Sequence, residues 1–493
     1  MLLFTRNVYL DHNATTPVAR EVQAAMRRVL HGRYGNPSSL HTHGRVALGL
    51  LEQAREAVAA LLGCGSERVV FTSGGTEGNN AVIKGVFAAA GKGHIVTSAV
   101  EHESVLGASR QVEERGATVT RVPAGRDGRV RVEAVRAALR PDTILISIMH
   151  ANNETGAVQP VAEIARLARE AGVPFHTDAV QTFGKLRTNV EELGCEFLTL
   201  SGHKINGPKG VGALYWRGGT PWTPLVFGGY QEQKMRAGTE GVHQVVGLGA
   251  AARLAAARMD RERTRLAGLR ADFTARLRRL VPDQQINEAP AEHQLPGTLN
   301  LTFPGREGIR LLAGLDCYEV SVSVGSACTA DKIEPSHVLL GMGLSQEEAL
   351  SSIRISMGTT TTRRDLDYAL AVIETVLQGD PTGFAYLDPQ HLTEARILSP
   401  DSFLIDLRFP YERLLSPSIP GAQEWSHIAF DRFRGRIPKD KEVILMCGTG
   451  VFSLSAGYRL AKWGHPKVGV VQGGYAAWTA LHPGLLNKLR GAR

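Results

Sequence analysis

The sequence predicts an α/β protein: a large domain on a parallel sheet, a smaller α/β unit after it, and a further small α/β domain at the C-terminus. Three observations carry this. The chain has 493 residues, more than one ordinary hydrophobic core holds. Short β-branched runs alternate with Ala/Glu/Arg-rich helical stretches, the rhythm of a parallel sheet covered on both faces. Gly379-Asp380-Pro381-Thr382-Gly383 stops one such series, and a second begins beyond it.

In chain order, residues 1–20 read as a short extended arm ending at Thr15-Thr16-Pro17. Helical patterns follow from Val18 and over Arg45–Leu62. Strands are expected at Val69–Thr72, His94–Thr97, Ile144–Ile148, Phe175–Thr177, Phe197–Leu200 and Val211–Trp216. A long helix occupies Gly247–Leu280, and residues 298–378 form the smaller unit, ending in the helix Arg363–Leu377. Past the stop, strands at Phe403–Leu407, Glu442–Met446 and Lys467–Val471, with a helix at Ser453–Trp463, make one further domain. The expected division is 1–378, a linker over 379–392, and 393–493.

At 43% hydrophobic and 21% charged residues the chain falls among globular proteins. No apolar run is long enough to span a bilayer, and the N-terminus lacks the signature of a cleaved leader, so a cytoplasmic protein is expected. The net charge of +8 comes without a dense basic run; it permits a tRNA or an acidic protein partner without arguing for either. Five cysteines, without zinc-like spacing, suggest neither a disulfide framework nor a metal site. Cys64, Cys195 and Cys317 read as small buried apolar residues; Cys328 and Cys447 are candidate nucleophiles.

Four features stand where strands should end, the place open α/β sheets put their ligands. Phe71-Thr72-Ser73-Gly74-Gly75-Thr76-Glu77 joins a strand to a helix through small residues and can cradle a phosphate or be a plain tight turn. Asp178, after Phe175-His176-Thr177, can be a helix cap or the partner of a protonated ring nitrogen. Lys204 lies in the Gly/Pro-rich loop Ser201–Gly210. His102, in Val100-Glu101-His102-Glu103-Ser104, can cap a helix, or stack on a flat ring and move protons. An amine, a carboxylate and phosphate donors at strand ends are what pyridoxal phosphate requires.

These segments, together with Tyr9–Thr16, Thr72–Asn80, Asn152-Asn153-Glu154-Thr155-Gly156, Thr177–Gln181, Ser201–Lys204, Arg236-Ala237-Gly238-Thr239, Gly325–Thr329 and Ile353–Ser356, resemble the NifS/IscS cysteine desulfurases in order and spacing, over about residues 7–378. The resemblance implies a fold-type I transferase binding pyridoxal 5'-phosphate. Lys204 would anchor the cofactor covalently, Asp178 pair with its ring nitrogen, Gln181 bond its ring hydroxyl and His102 stack on the ring. Gly75, Thr76, Ser201 and His203 would hold its phosphate. Thr239 would reach the phosphate of the neighbouring subunit's cofactor, which implies a homodimer. Asn153 and Arg354 would bind the substrate carboxylate, and Cys328 would be the nucleophile that takes sulfur from L-cysteine, leaving alanine. The Ser-Ala-Cys-Thr context of Cys328 resembles the long-loop subgroup linked to iron–sulfur assembly.

Ser402–Arg408, Ile419-Pro420-Gly421-Ala422, Leu445–Gly450 and Gln472–Trp478 resemble a single rhodanese domain, over about residues 390–485. Asp406 and Arg408 read as structural. Cys447, after a strand and before a helix, lies where backbone N–H groups can face its sulfur and lower its pKa. Rhodaneses commonly carry an Arg near the end of this loop; here Phe452 stands before Ser453, which suits a domain fed by a protein persulfide better than one fed by thiosulfate. The reading that follows is a cysteine desulfurase passing sulfur from Cys328 to Cys447 and on to an acceptor protein, for iron–sulfur clusters or thiolation. The alternatives are a selenocysteine lyase or cysteine C–S lyase, with the rhodanese part only a binding module.

Overall fold

The computed structural model describes residues 6–325, 334–378 and 384–486. A two-residue strand, β1 (Val8–Tyr9), opens the chain. The large sheet follows: β2 (Val69–Thr72), β3 (His94–Ser98), β4 (Thr118–Val122), β5 (Thr143–Ser147), β6 (Phe175–Asp178), β7 (Phe197–Ser201) and β8 (Gly212–Trp216). Their order is β2-β8-β7-β6-β5-β3-β4. All neighbours are parallel except β8, which runs antiparallel to both β2 and β7. The expected parallel sheet is therefore mixed at one side. The loop from β7 to β8 is too short for a covered crossover, so the chain can only return antiparallel. Since β8 reverses twice, β2 still points the same way as β3, β6 and β7, and their carboxyl ends share one edge. Helices bury both faces, so β2, β3, β6 and β7 are buried along their whole length.

The helix Val242–Leu280 leads to the smaller unit, where β9 (Gln285–Ile286), β10 (Thr298–Thr302) and β12 (Ser352–Ser356) form an antiparallel sheet; β11 (Val320–Ser321) pairs with β1. The helix Arg363–Leu377 begins with a capping box between Thr362 and Asp365. The C-terminal domain is a five-stranded parallel sheet, β13 (Phe384–Leu387), β14 (Ser402–Asp406), β15 (Gln423–Glu424), β16 (Glu442–Met446) and β17 (Val468–Val471), in the order β13-β17-β16-β14-β15. β13 lies inside the stretch expected as linker. Phe384 and Leu387 are buried, and the strand pairs with β17 along its whole length.

The helix Gly308–Cys317 joins the last two units. Leu311 and Leu315 pack with Ile353 and Ile355 of β12. Ala313 and Cys317, on the opposite stripe, pack into the core of the C-terminal domain with Leu454 and Tyr458. Lys462 Nζ donates to Cys317 O at 3.0 Å and Ser455 Oγ to Asp316 Oδ2 at 2.9 Å. The C-terminal domain is thus docked through a shared core as well as tethered. Arg354 and Ser356 leave β12 on the face away from this helix, toward Asp11 and Asn13. Among the described residues no helix is long and apolar enough to cross a membrane.

Ala313→Glu would bury an unpaired carboxylate in this seam, at a cost of several kcal/mol. Scanning calorimetry of the full-length variant should then show the C-terminal domain melting as a separate, earlier transition. An endotherm unchanged from that of the parent would show that the seam contributes nothing.

Candidate active site

The shared edge of β2, β3, β6 and β7 opens into a cavity of about 270 Å³. It gathers Gly75, Thr76, His102, Asn153, Asp178, Gln181, Ser201, His203, Lys204 and Arg354 from segments far apart in the chain. Thr239 is exposed and does not line it. Cys328 lies outside the described residues. Cys447 lies in the C-terminal domain.

One wall is the start of the helix Gly75–Ala90, whose first N–H groups have no intrahelical partner. Glycine is needed at 75: a Cβ there would come within 2.6 Å of Val180 Cγ2. Ser201 Oγ is the nearest atom, at 3.9 Å, to a Cβ placed on Gly74, so the end of β7 lies beside this helix start. Glu77, in the first turn, pairs with Arg236 at 3.0 Å, which offsets its charge at the anion-attracting end.

Asp178 ends β6, buried. Its Oδ1 accepts from Val180 N at 2.9 Å and its Oδ2 from Asn79 Nδ2 at 2.7 Å. Asn79 is one helical turn beyond Gly75 and also donates to Ser104 Oγ at 2.8 Å. His102 caps the helix Glu103–Glu113, as one of its two readings has it, its Nδ1 accepting from Ser104 N at 3.1 Å. In the neutral ring that acceptor role leaves the proton on Nε2. Burial lowers the His102 pKa, with Asp178 pulling the other way. His203 and His12 are each held down at about 4, chiefly by burial and then, for His203, by Lys204, Lys209 and Lys185. The histidines are therefore neutral near pH 7, and the fixed positive charge of the cavity is the Arg354 guanidinium.

Lys204 Nζ donates to Asn13 O at 2.5 Å and Ala14 O at 2.9 Å. Arg354, almost wholly buried, donates from Nη2 to Asp11 Oδ1 at 2.7 Å and from Nη1 to Asn153 O at 3.1 Å. Its Nε has no partner among the described residues. These donors fit pyridoxal phosphate. N–H and hydroxyl groups at the helix start suit the phosphate, the buried Asp178 carboxylate suits a protonated ring nitrogen, and an amine, an amide and a flat imidazole stand nearby. Asn13, Asn79 and Ser104 were not singled out by sequence reasoning. The signal for Asn79 was its spacing of four from Gly75 on one helix face.

In the C-terminal domain Cys447 follows β16, again at a carboxyl end. Gly450 N and Ser453 N lie 3.2 and 3.4 Å from its Sγ. Gly474, at φ +61°, closes the back of this loop; a Cβ there would come within 2.3 Å of Cys447 O. The expectation of a lowered thiol pKa is corrected here. Burial raises it, outweighing the N–H groups that pull it down, because the sulfur is fully enclosed. Phe452 stacks on His427 at 4.0 Å between ring centroids, so an aromatic pair stands where rhodaneses commonly have a cation. Asp406 and Arg408 form a buried ion pair under the sheet end at 2.7 Å, as a structural pair would. Cys195 and Cys317 are buried and Cys64 half-buried, in keeping with their apolar reading.

The aminotransferase class-V family matches residues 8–369 and the rhodanese-like domain family residues 390–481. A protein described as cysteine desulfurase IscS, from Dictyoglomus turgidum, is 47% identical over 375 residues, which is 76% of this chain and 95% of that protein. A solved NifS-like protein superposes with a TM-score of 0.71 at 36% identity, covering 76% of this chain and 100% of its own. The structure described as SspA in complex with cysteine gives 0.62 at 36% identity, over 71% of this chain and 98% of its own.

Glu101, beside His102, is fully buried and pushed up to about 8 by desolvation, although Ser98 Oγ and Met149 N donate to its Oε1. The folded chain then keeps a proton between about pH 4.5 and 8 that the unfolded chain releases, so this carboxyl lowers stability as pH rises through that window. Glu101→Gln should remove the dependence and be more stable at pH 8 by a few kcal/mol. Urea unfolding at pH 5.5 and 8 checks this; equal pH dependence in both proteins would contradict it.

Proposed function

The chain belongs to the cysteine desulfurases, pyridoxal-phosphate-dependent enzymes with the class-V aminotransferase fold, and on that premise we propose that it moves sulfur from L-cysteine to Cys328, then to Cys447 and on to an acceptor protein. The observation that carries the reading is the convergence of Lys204, Asp178, His102 and Arg354 on one cavity at the sheet edge. Arg354 and Asn153 meet there, which supports their holding the substrate carboxylate; a planar guanidinium matches both oxygens.

When bound, pyridoxal phosphate supplies an electron sink for negative charge at the substrate α-carbon. The Lys204 amine takes the α-proton, and the neutral His102 imidazole, which lines the same cavity, is placed to move a second proton. The Cys328 thiolate attacks the substrate sulfur. A sulfur–sulfur bond forms as the carbon–sulfur bond breaks, its electron pair staying with the carbon skeleton, which takes up protons and leaves as alanine. The Gly450 and Ser453 N–H groups suit a negatively charged persulfide on Cys447. The aromatic wall of Phe452 and His427 suits a protein donor rather than a small anion. The exposed Phe227 and Tyr230, in the same loop region as Thr239, support a homodimer with shared sites, and the relay runs within one chain or across the pair.

Sulfur-labelled L-cysteine, followed by peptide mapping without reductant, tests the relay. Label is expected on Cys328 and Cys447, and on neither in Cys328→Ala. Label confined to Cys328 would leave the second domain a docking module; full alanine production by Cys328→Ala would favour a lyase. Arg354→Lys should raise KM for cysteine by roughly 100-fold, about 2–3 kcal/mol for a lost bidentate contact; an unchanged KM would remove Arg354 from substrate binding.

A further inference from the structure

Behind the lysine lies a second chamber, of about 470 Å³. Asn13 and Lys204 line both it and the cofactor cavity, so the two spaces meet at the lysine side chain. Lys185, which no sequence motif marked, also lines the rear chamber. It stands four residues after Gln181, in the turn that leaves β6, and its Nζ returns to Gln181 Oε1 at 3.1 Å. The other arm of that amide, Nε2, donates to Asn13 O at 2.9 Å. The same carbonyl accepts Lys204 Nζ at 2.5 Å. Lys185, Gln181, Asn13 and Lys204 therefore form one hydrogen-bonded chain from the rear chamber to the reactive amine.

This chain makes the two ends of the Gln181 amide unequal. The Lys185 ammonium facing Gln181 can only donate, so it accepts the oxygen end and rejects the NH₂ end. A flipped amide would set donor against donor at Lys185 and oxygen against oxygen at Asn13, losing both bonds. Burial, with the charges of Lys204 and Arg354, pushes Lys185 down to about 7. The neutral amine can still donate to the oxygen but could also accept, so in that form the amide is held in register by Asn13 O, which can only accept the NH₂ end.

We propose that Lys185 is a positioning residue that locks the Gln181 amide from behind, with its oxygen toward Lys185 and its N–H₂ on the cofactor side. It touches neither substrate nor cofactor and acts through Gln181. The inference rests on the reading of Gln181 as a cofactor contact.

The test is a double-mutant cycle on the full-length chain, with Lys185→Met, Gln181→Leu and both together. The quantity read is the affinity for pyridoxal phosphate, followed by visible absorbance as stripped protein is reloaded. Each single variant should bind about tenfold more weakly. The double variant should be no weaker than Gln181→Leu alone, and Lys185→Arg should return to within about twofold of the parent. Additive losses in the double variant, or an unaffected Lys185→Met, would overturn the proposal. An unaffected Gln181→Leu would sink the reading of Gln181 and this inference with it. Should Lys185→Met fail to fold, Lys185→Gln, whose shorter side chain stops short of Gln181, runs through the same cycle with the same outcomes.

Discussion

The site depends on the run from Leu10 to Thr16, buried at Leu10, His12, Asn13 and Thr16, which threads between the large and small units. Its backbone closes on the small unit through Leu10 N to Ser321 O, Ser356 N to Leu10 O and His12 N to Ser356 O. It closes on the large domain through Thr16 N to His203 O and the carbonyls of Asn13 and Ala14 on Lys204. Asp11 holds Arg354 from the same run. A segment bonded to both units fixes their separation, so the amine that would do the chemistry and the guanidinium that would hold the substrate are set by one short stretch of backbone. A buried peptide group left unpaired is costly, which makes such bonding hard to break piecemeal.

Charge follows from the same enclosure. Burial strips the histidines of their protons and leaves the Arg354 guanidinium as the fixed positive group, against the carboxylates of Asp11 and Asp178. A cavity built this way favours anions, while the protons that move near neutral pH sit behind it, on Lys185 and Glu101. In the C-terminal domain enclosure works in the opposite sense, since a fully buried thiol resists ionisation even with two N–H groups beside it. That cradle favours the sulfur only when something already negative sits on it.

Much of this was legible in the residues. β2, β16 and the helix Arg363–Leu377 fall on the expected residues because β-branched runs and an Ala/Leu face bounded by Thr362 and Gln378 are unambiguous local signals. β4 was not seen, since its exposed edge carries Thr and Arg and its burial is mixed. The sense of β8 was missed because direction depends on loop length and not on pattern. The cavity residues were legible as an ordered set of motifs, whereas Asn79 and Lys185 act on other side chains and carry no composition signal. The seam at Ala313 and Cys317 was hidden for a similar reason: small apolar residues on a helix look the same whether they face their own core or another domain's. The pKa of Cys447 turned on the depth of its enclosure, which no motif encodes.

That seam has one more consequence. From the cofactor cavity outward come the small sheet, the helix Gly308–Cys317 and then the C-terminal domain. Arg354 faces one side of β12, and the Cys447 domain stands beyond the helix on the other. Layers of this kind are about 10 Å thick. The cofactor cavity and the Cys447 loop are therefore separated by packed protein, and the proposed transfer of sulfur between them would go around the sheet rather than through it. A persulfide on Cys447, as proposed, would be shielded from the amine and the incoming amino acid at the cofactor cavity, so its loading and unloading would be separate events on one molecule.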